Sequence, residues 1–389
     1  MSALPIPLRM LLMMHKLSLL TILGGILFFP GVARVSATDE NSALHAGELL
    51  ESIRSKYNLP ALAGAVFTTN GPVEMAAEGH RKRGASPLVT TNDEWHLGSD
   101  TKAMTATLAG TFVAEGKLHW DDDVISFFPQ LRGLVRPEYE GLTVADLLSH
   151  KAGFAHDIDW WSLQSKGSLM KQREAAVRVA LTNPPKFKRG EYNYSNVGYV
   201  VVGAILEKIS GKPWEKLMRE RVFTPLEMES AEFGGTGTIG KIDQPWPHTQ
   251  SGNPTPQNGP LTDNAEVLGP AGTVHCSMTD WIKFLTDQLK GGDDQDSMLT
   301  SDIYHEMQTP KPPGDYGFGW LIVNTSWSGG EALYHAGSNT MNTCVCWLAP
   351  KKGFGVMICT NQGGDQARKA CDEAAQDLIS RFLNEHPNQ

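Results

Sequence analysis

Strand-forming runs lie at both ends of this chain, and a long helical stretch separates them. Ala61–Thr68 and Val73–Glu78 are strand-like and are parted by Asn70-Gly71, a dipeptide that favours a tight hairpin. Gly317–Val323, Thr343–Leu348 and Gly355–Thr360 return to the same pattern near the C-terminus, whereas residues from Ser99 to about Met307 follow helical spacing broken by Pro- and Gly-rich loops. Strands at both ends with a helical middle suggest that the two ends build one antiparallel sheet. Amphipathic helices at Glu40–Tyr57 and about Asp365–Leu383 are placed to cover it. The expected fold class is α+β. Its sheet lobe is built from residues 38–98 and 315–389 and flanked by the terminal helices, and a large helical lobe, 99–314, is inserted in it. The segment Gly234–Thr262, rich in Gly, Pro, Asn and Gln, is too long for a simple connection and is expected to drape over the helical lobe. No internal repeat is present.

The 389 residues suffice for one large domain or two to three small ones, and 41% apolar with 20% charged residues excludes disorder, collagen and coiled coil. Arg9, Lys16 and Arg34 are the only charges in the first 37 residues; without them 31 basic residues face 43 acidic ones, a net charge of −12. Such a domain repels phosphate backbones, so nucleic acid is not an expected partner.

Arg9 and Lys16 precede an uncharged run, Leu17–Ala33, and Val35-Ser36-Ala37 has the spacing a signal peptidase accepts. Residues 1–37 therefore read as an export signal cut after Ala37, which places the domain 38–389 in the periplasm or outside the cell. The alternative is a retained N-terminal membrane anchor, although two Gly and a Pro leave this run short of a span. No other membrane association is expected. Export exposes Cys276, Cys344, Cys346, Cys359 and Cys371 to oxidation, and an odd count leaves at least one unpaired. A hairpin turn at Pro350–Gly353 puts Cys344 opposite Cys359, either as two buried thiols, the favoured reading, or as a strained cross-strand disulfide. No HExxH or paired CxxC occurs, so neither a metal nor a cofactor is expected.

Three short stretches carry chemistry. In Ser99-Asp100-Thr101-Lys102, at the start of a helical run with Met104, Leu108 and Phe112, the i and i+3 side chains share a face. That sets an amine beside a hydroxyl at a helix start, where the macrodipole favours developing negative charge, and a partly dry amine can lose its proton and act as a base. Alone, Ser99 reads equally as an N-cap. Ser168 and Lys171 repeat the spacing in a polar stretch. Tyr194-Ser195-Asn196 directly precedes a helical pattern running from Val197 to Ile209; a phenol there can relay a proton, and the Asn196 amide can hold Lys102 and a substrate carbonyl. In isolation the pair reads as a core ring and a cap. His335-Ala336-Gly337-Ser338 lies between strand-like runs, where Gly337 would let a substrate approach a strand edge and the Ser338 and Ser99 N–H groups would form an oxyanion hole.

In this order, Ser-x-x-Lys, Tyr-x-Asn and His-x-Gly resemble the penicillin-recognising serine hydrolases, a group that includes class C β-lactamases, DD-carboxypeptidases, D-aminopeptidases and β-lactamase-fold esterases. Leu147-Leu148-Ser149-His150-Lys151-Ala152-Gly153-Phe154 and Gly269-Pro270-Ala271-Gly272 are similar to two further family landmarks, and the resemblance extends from about Glu40 to Leu383. It implies Ser99 as the acylated nucleophile, Lys102 and Tyr194 as the acid/base pair in either order, Asn196 as an orienting amide, and His335, Gly337 and Ser338 as the substrate-binding edge of the cleft. The implied substrate is a small-molecule ester, an amide or a peptidoglycan-type compound, cleaved by an esterase or D-alanyl peptidase-like enzyme through an acyl-enzyme. The alternative is a penicillin or peptidoglycan-fragment sensor without turnover.

His335 stands where β-lactamases usually carry Lys, and Ala336 where lactamases and DD-peptidases usually carry a hydroxyl that helps bind a substrate carboxylate. Losing that hydrogen bond costs about 1.5–3 kcal/mol, which favours esters, or amides lacking the carboxylate, over penicillins.

Other features carry less. Gly235-Thr236-Gly237-Thr238-Ile239-Gly240 matches GxGxxG without a following helix, so a dinucleotide site is not expected. No G-x-S-x-G is present. Trp160 and Trp161 read as loop anchors in preference to an aromatic wall for an acyl group, and His150 and His275 as satisfied structural residues of the helical lobe.

Overall fold

The computed structural model describes residues 46–256 and 263–387. The expected export signal lies outside the described residues, and among these no helix is long and apolar enough to cross a membrane.

The two ends of the chain meet in one six-stranded antiparallel sheet, ordered β2-β1-β9-β8-β7-β6. Its strands are β1 Ala61–Thr68, β2 Gly71–Gly79, β6 Leu321–Thr325, β7 Gly330–Ser338, β8 Thr343–Ala349 and β9 Phe354–Thr360, and three short ones, β3 Glu94–His96, β4 Glu232–Phe233 and β5 Val274–Ser277, form a second sheet. The ends are joined by β1 on β9, with Ala63 opposite Cys359 and Thr68 opposite Phe354. Alternation along β1 explains why it reads as one apolar run. Leu62 and Val66 pack under helices α1 (Ala46–Lys56) and α7 (Asp365–Glu385), and Ala61, Ala63, Ala65 and Phe67 belong to the core shared with the helical lobe. Each fully buried side chain of Leu or Phe size contributes about 1.5–3 kcal/mol. The β1–β2 turn is Thr69-Asn70 rather than Asn70-Gly71, because Thr68 pairs with Gly71, and a bulge restores register between Val66 and Phe67.

The helical lobe is built on α2 (Thr101–Ala114), α3 (Leu169–Thr182), α4 (Asn196–Ser210), α5 (Met278–Gly291) and α6 (Ser301–Gln308). Helix α2 is buried without interruption from Thr101 to Gly110, as its small and apolar residues require of a central helix. Helix α4 is capped by the Ser195 hydroxyl and ended by Gly211 at φ +70°. Arg173 of α3 is wholly buried, with its guanidinium 2.6 Å from Glu207 and also paired with Glu215. Removing one partner of a buried ion pair leaves the other charge stranded. Arg173→Met is therefore expected to destabilise the protein by about 3–5 kcal/mol, read as a fall in urea midpoint.

Two expectations change. The segment after Gly234 lies on the sheet lobe and not on the helical lobe: Trp246 N–H donates to the Arg81 carbonyl, the Lys82 amine stacks 3.5 Å above the Trp246 ring, and the His248 imidazole accepts from Arg83 N–H and contacts the Asn361 carbonyl. The backbone of Arg81, Arg83 and Asn361, together with the Lys82 amine, supplies these partners, all of them in the sheet lobe. His275, although within 99–314, sits on a strand of the small sheet, β5, with Nδ1 2.9 Å from the Gly234 carbonyl. The Pro350–Gly353 turn gives the expected register, with Cys344 opposite Cys359 and their sulfurs 3.0 Å apart as two buried thiols.

Candidate active site

The site is assembled where the turn Gly98–Asp100 joins β3 to α2. The small sheet holds the turn from below, through Leu97 N–H on the Val274 carbonyl, and β7 closes it from the side. Gly98 has φ +51°, and a Cβ on it would stand 2.4 Å from Ser338 N. A Cβ at Gly337 would stand 1.8 Å from the Leu97 carbonyl oxygen and 2.8 Å from Ser99 N. Both glycines thus serve backbone-on-backbone contact between turn and strand, and Gly337 seats the turn that carries Ser99. Strand β6 pairs with β7 from Gly330 to Tyr334, and His335–Ser338 extends beyond that pairing, with β8 as its strand neighbour on the other side.

Ser99 is half-buried, and its hydroxyl is not used as a cap, since α2 begins without one. It lies 3.1 Å from Lys102 Nζ and within hydrogen-bond reach of the Tyr194 phenol. Lys102 is fully buried, and its amine also donates to Asn196 Oδ1 at 2.8 Å and to the Ala271 carbonyl at 2.7 Å. Burial drives its pKa down to about 7, against the opposing pull of Asp157 and Asp100. Tyr194 opens partly to the cleft, yet the protein around it strips enough water to push the phenol well above its ordinary value, against the hydrogen bond to Ser99. Because Ser195 caps α4, the Asn196 side chain is free to turn inward. The three sequence-predicted stretches therefore converge.

His335 is the residue whose expected part changes most. It is buried, with Nδ1 2.9 Å from Asp100 Oδ1 and Nε2 3.0 Å from the Tyr316 hydroxyl, so both nitrogens are engaged inside the protein and neither reaches the cleft. Burial raises the Asp100 carboxyl above its usual range, against the pull of His335. Ala336 faces the opposite side of the sheet, packed with Tyr334 and Trp347 against the terminal-helix core. Ser338 closes the end of β7 with its hydroxyl donating to the Asn342 carbonyl, which leaves its backbone as the part adjoining the turn.

Four participants were not singled out by sequence reasoning. The Ala271 carbonyl lay inside a noted landmark, Asp100 inside the first motif, and Asp157 in a stretch noted for its tryptophans; Tyr316 carried no signal. Trp160 is buried with its indole N–H on Asp157, as a loop anchor, and Trp161 is exposed. His150, at φ +60°, accepts from Ser195 N–H among the rings of Tyr192, Tyr194, Tyr199 and Tyr316, but its Nε2 has no partner among the described residues, contrary to the expectation of a satisfied imidazole. Ser168 and Lys171 are both exposed, far in character from the buried pair. Among the described residues no helix directly follows the GxGxxG stretch.

An antiparallel sheet closed by both chain ends, with Ser-x-x-Lys, Tyr-x-Asn and His-x-Gly gathered at the junction with a helical lobe, defines the penicillin-recognising class of serine-centred folds. The family model Beta-lactamase matches residues 45–379, and the chain belongs to that family. It is 26% identical over 330 residues to "Penicillin-binding protein 4" of Amycolatopsis lactamdurans, covering 82% of this chain and 85% of that one, and 22% identical over 356 residues to "Protein flp" of Staphylococcus aureus strain N315, covering 88% and 69%. The octameric penicillin-binding protein homologue from Pyrococcus abyssi shares the fold with a TM-score of 0.68 at 23% identity, over 85% of this chain and 76% of that one. SurE, solved with D-Leu, does so with a TM-score of 0.68 at 24% identity, over 87% and 75%.

Proposed function

We propose that this protein is an exported serine hydrolase that forms an acyl-enzyme on Ser99 and prefers esters, or amides without a free carboxylate, to penicillins. The observation that carries this is the fully buried Lys102 amine, 3.1 Å from the Ser99 hydroxyl with its pKa lowered by burial to about 7. A neutral amine has two hydrogens and one lone pair. Two of its contacts, the Asn196 and Ala271 oxygens, can only accept, so they take the hydrogens and the lone pair is left facing the one neighbour with a proton to give. Lys102 then takes the Ser99 proton as its oxygen attacks the carbonyl, and Tyr194, kept protonated by burial, is suited to pass a proton to the leaving group. The Ser99 and Ser338 N–H groups would receive the oxyanion.

The preference rests on His335 and Ala336. With His335 held between Asp100 and Tyr316 and Ala336 turned to the far side of the sheet, neither offers a substrate carboxylate a partner. Export rests on the sequence of residues 1–37.

A panel of p-nitrophenyl esters, nitrocefin and D-alanyl-D-alanine peptides tests the reading, run on the protein and on Ser99→Ala. The expected result is ester turnover above that of nitrocefin, lost in the variant. Unchanged activity of Ser99→Ala would refute the nucleophile, and faster turnover of nitrocefin than of the ester would refute the preference. A stoichiometric fluorescent penicillin adduct without ester turnover would instead identify a sensor.

A further inference from the structure

We propose that Asp157 is a positioning residue for Lys102, acting through the side-chain amide of Asn196; the inference rests on the acyl-enzyme reading above and assigns a further residue to it. The Asn196 side chain stands between the two, with Oδ1 2.8 Å from Lys102 Nζ and Nδ2 2.9 Å from Asp157 Oδ1. The two ends of an amide are nearly alike in shape and opposite in hydrogen bonding. A carboxylate only accepts, so Asp157 compels the NH2 group to face it and the oxygen to face Lys102. Turned over, the amide would set its oxygen against a carboxylate and give an N–H to the Lys102 lone pair, withdrawing that pair from Ser99.

Asp157 is itself held. The Trp160 indole N–H donates to its Oδ1 at 2.8 Å from a buried ring, His156 Nδ1 lies 2.5 Å from its Oδ2, and Asn196 N–H donates to the His156 carbonyl at 2.9 Å. The stretch His156–Trp160 thus forms a bracket on the first turn of α4. Burial works against the Asp157 charge, but the His156 contact and the donors Asn196 and Trp160 outweigh it and hold the carboxyl below its usual range.

The carboxylate also acts on Lys102 through space. Lys102 faces Ser99, Asn196, the Ala271 carbonyl and the rings of Tyr194 and Tyr199, with Asp100, Asp157 and His150 as the charged or titratable groups around them. Burial lowers its proton affinity, and Asp157 and Asp100 work the other way. Removing Asp157 leaves Asp100 as the sole carboxylate of this set, so the neutral amine persists to lower pH.

The test compares Asp157→Ala and Asp157→Asn with the parent in ester hydrolysis across pH, together with an atomic-resolution crystal structure of Asp157→Ala. Alanine is expected to lower kcat about tenfold to a hundredfold with little change in KM, since it disturbs a proton acceptor and not a substrate contact. Asparagine, which can still accept from Asn196, should recover part of that loss. In both variants the acidic limb of kcat/KM should move to lower pH, a change that a purely structural role for Asp157 would not produce. In the crystal, the Asn196 amide should no longer keep its oxygen on Lys102. An unmoved acidic limb with unchanged kcat, or an Asn196 amide oxygen still on Lys102, overturns the proposal. If the parent protein is acylated by neither esters nor penicillins, the hydrolase reading fails, and the Asn196 position in the crystal still decides whether Asp157 holds the amide.

Discussion

Lys102→Met is expected to slow acylation of Ser99 by about a thousandfold or more while the protein stays folded. Methionine fills nearly the same buried space and has no lone pair basic enough to take a hydroxyl proton. In the parent, kcat/KM should rise with pH through about 7, because below that value Lys102 carries a proton and cannot receive another. In the variant this limb should vanish. The stability effect runs the other way. A lysine whose pKa falls from 10.5 in the unfolded chain to about 7 in the fold makes folding less favourable by roughly 5 kcal/mol, in full below pH 7 and fading as pH rises toward 10.5. Stranding the Ala271 and Asn196 oxygens opposes that gain by about 1–3 kcal/mol for each buried acceptor left unpaired, so at the middle of that range most of the gain is offset. The melting temperature of Lys102→Met at pH 6 should therefore hold or rise. Lost acylation with a lowered melting temperature would mark Lys102 as a structural residue.

Gly337→Ala should disable the site from the opposite direction. The added methyl would stand 1.8 Å from the Leu97 carbonyl oxygen, less than any van der Waals contact allows; the oxygen is backbone and the methyl's place is fixed by backbone, so no side-chain rotation can relieve the clash. Strand and turn must separate, at an expected cost of about 1–3 kcal/mol in stability. The turn that moves carries Ser99, and a displacement near 1 Å costs about a hundredfold in rate. Glutamate in place of the exposed Trp161 serves as a control, since it should leave the unfolding free energy from urea titration within about 0.5 kcal/mol of the parent. A Gly337→Ala protein with parental melting temperature and parental ester turnover would show that turn and strand do not meet as described.

Much of this architecture is legible in the amino-acid sequence where the signal is local. The β8–β9 register follows from one turn, Pro350–Gly353, because a hairpin fixes every pair beyond it, and Cys344 meets Cys359 as that arithmetic requires. Helix α4 is readable from its spacing and from Gly211. Strand β7 is not, because Glu331–Ser338 mixes Gly, Ala, His and Ser, and its pairing is decided by neighbours on either side. The run from Gly317 suggests a strand that in fact begins at Leu321, since Phe318 N–H is taken by the Met307 carbonyl of α6. Strands of two to four residues, β4 and β5, leave no periodic trace.

The site divides in the same way. Ser99 and Lys102 announce themselves through one helical turn. His335 does not reveal its partner, because Asp100 lies 235 residues away and no pattern in either stretch points to the other. Motif order predicts that His335 is at the cleft, and only the folded protein shows the imidazole turned inward between a carboxylate and a phenol.

The pairing of β1 with β9 has a consequence for biogenesis. The first strand of the large sheet waits for the last, so nearly the whole chain must be synthesised before the sheet can close, and ordering so long an intervening loop slows folding. Ser99, Lys102 and Tyr194 emerge from the ribosome well ahead of the strand that seats them. Their assembly is therefore a late event in the life of the nascent chain.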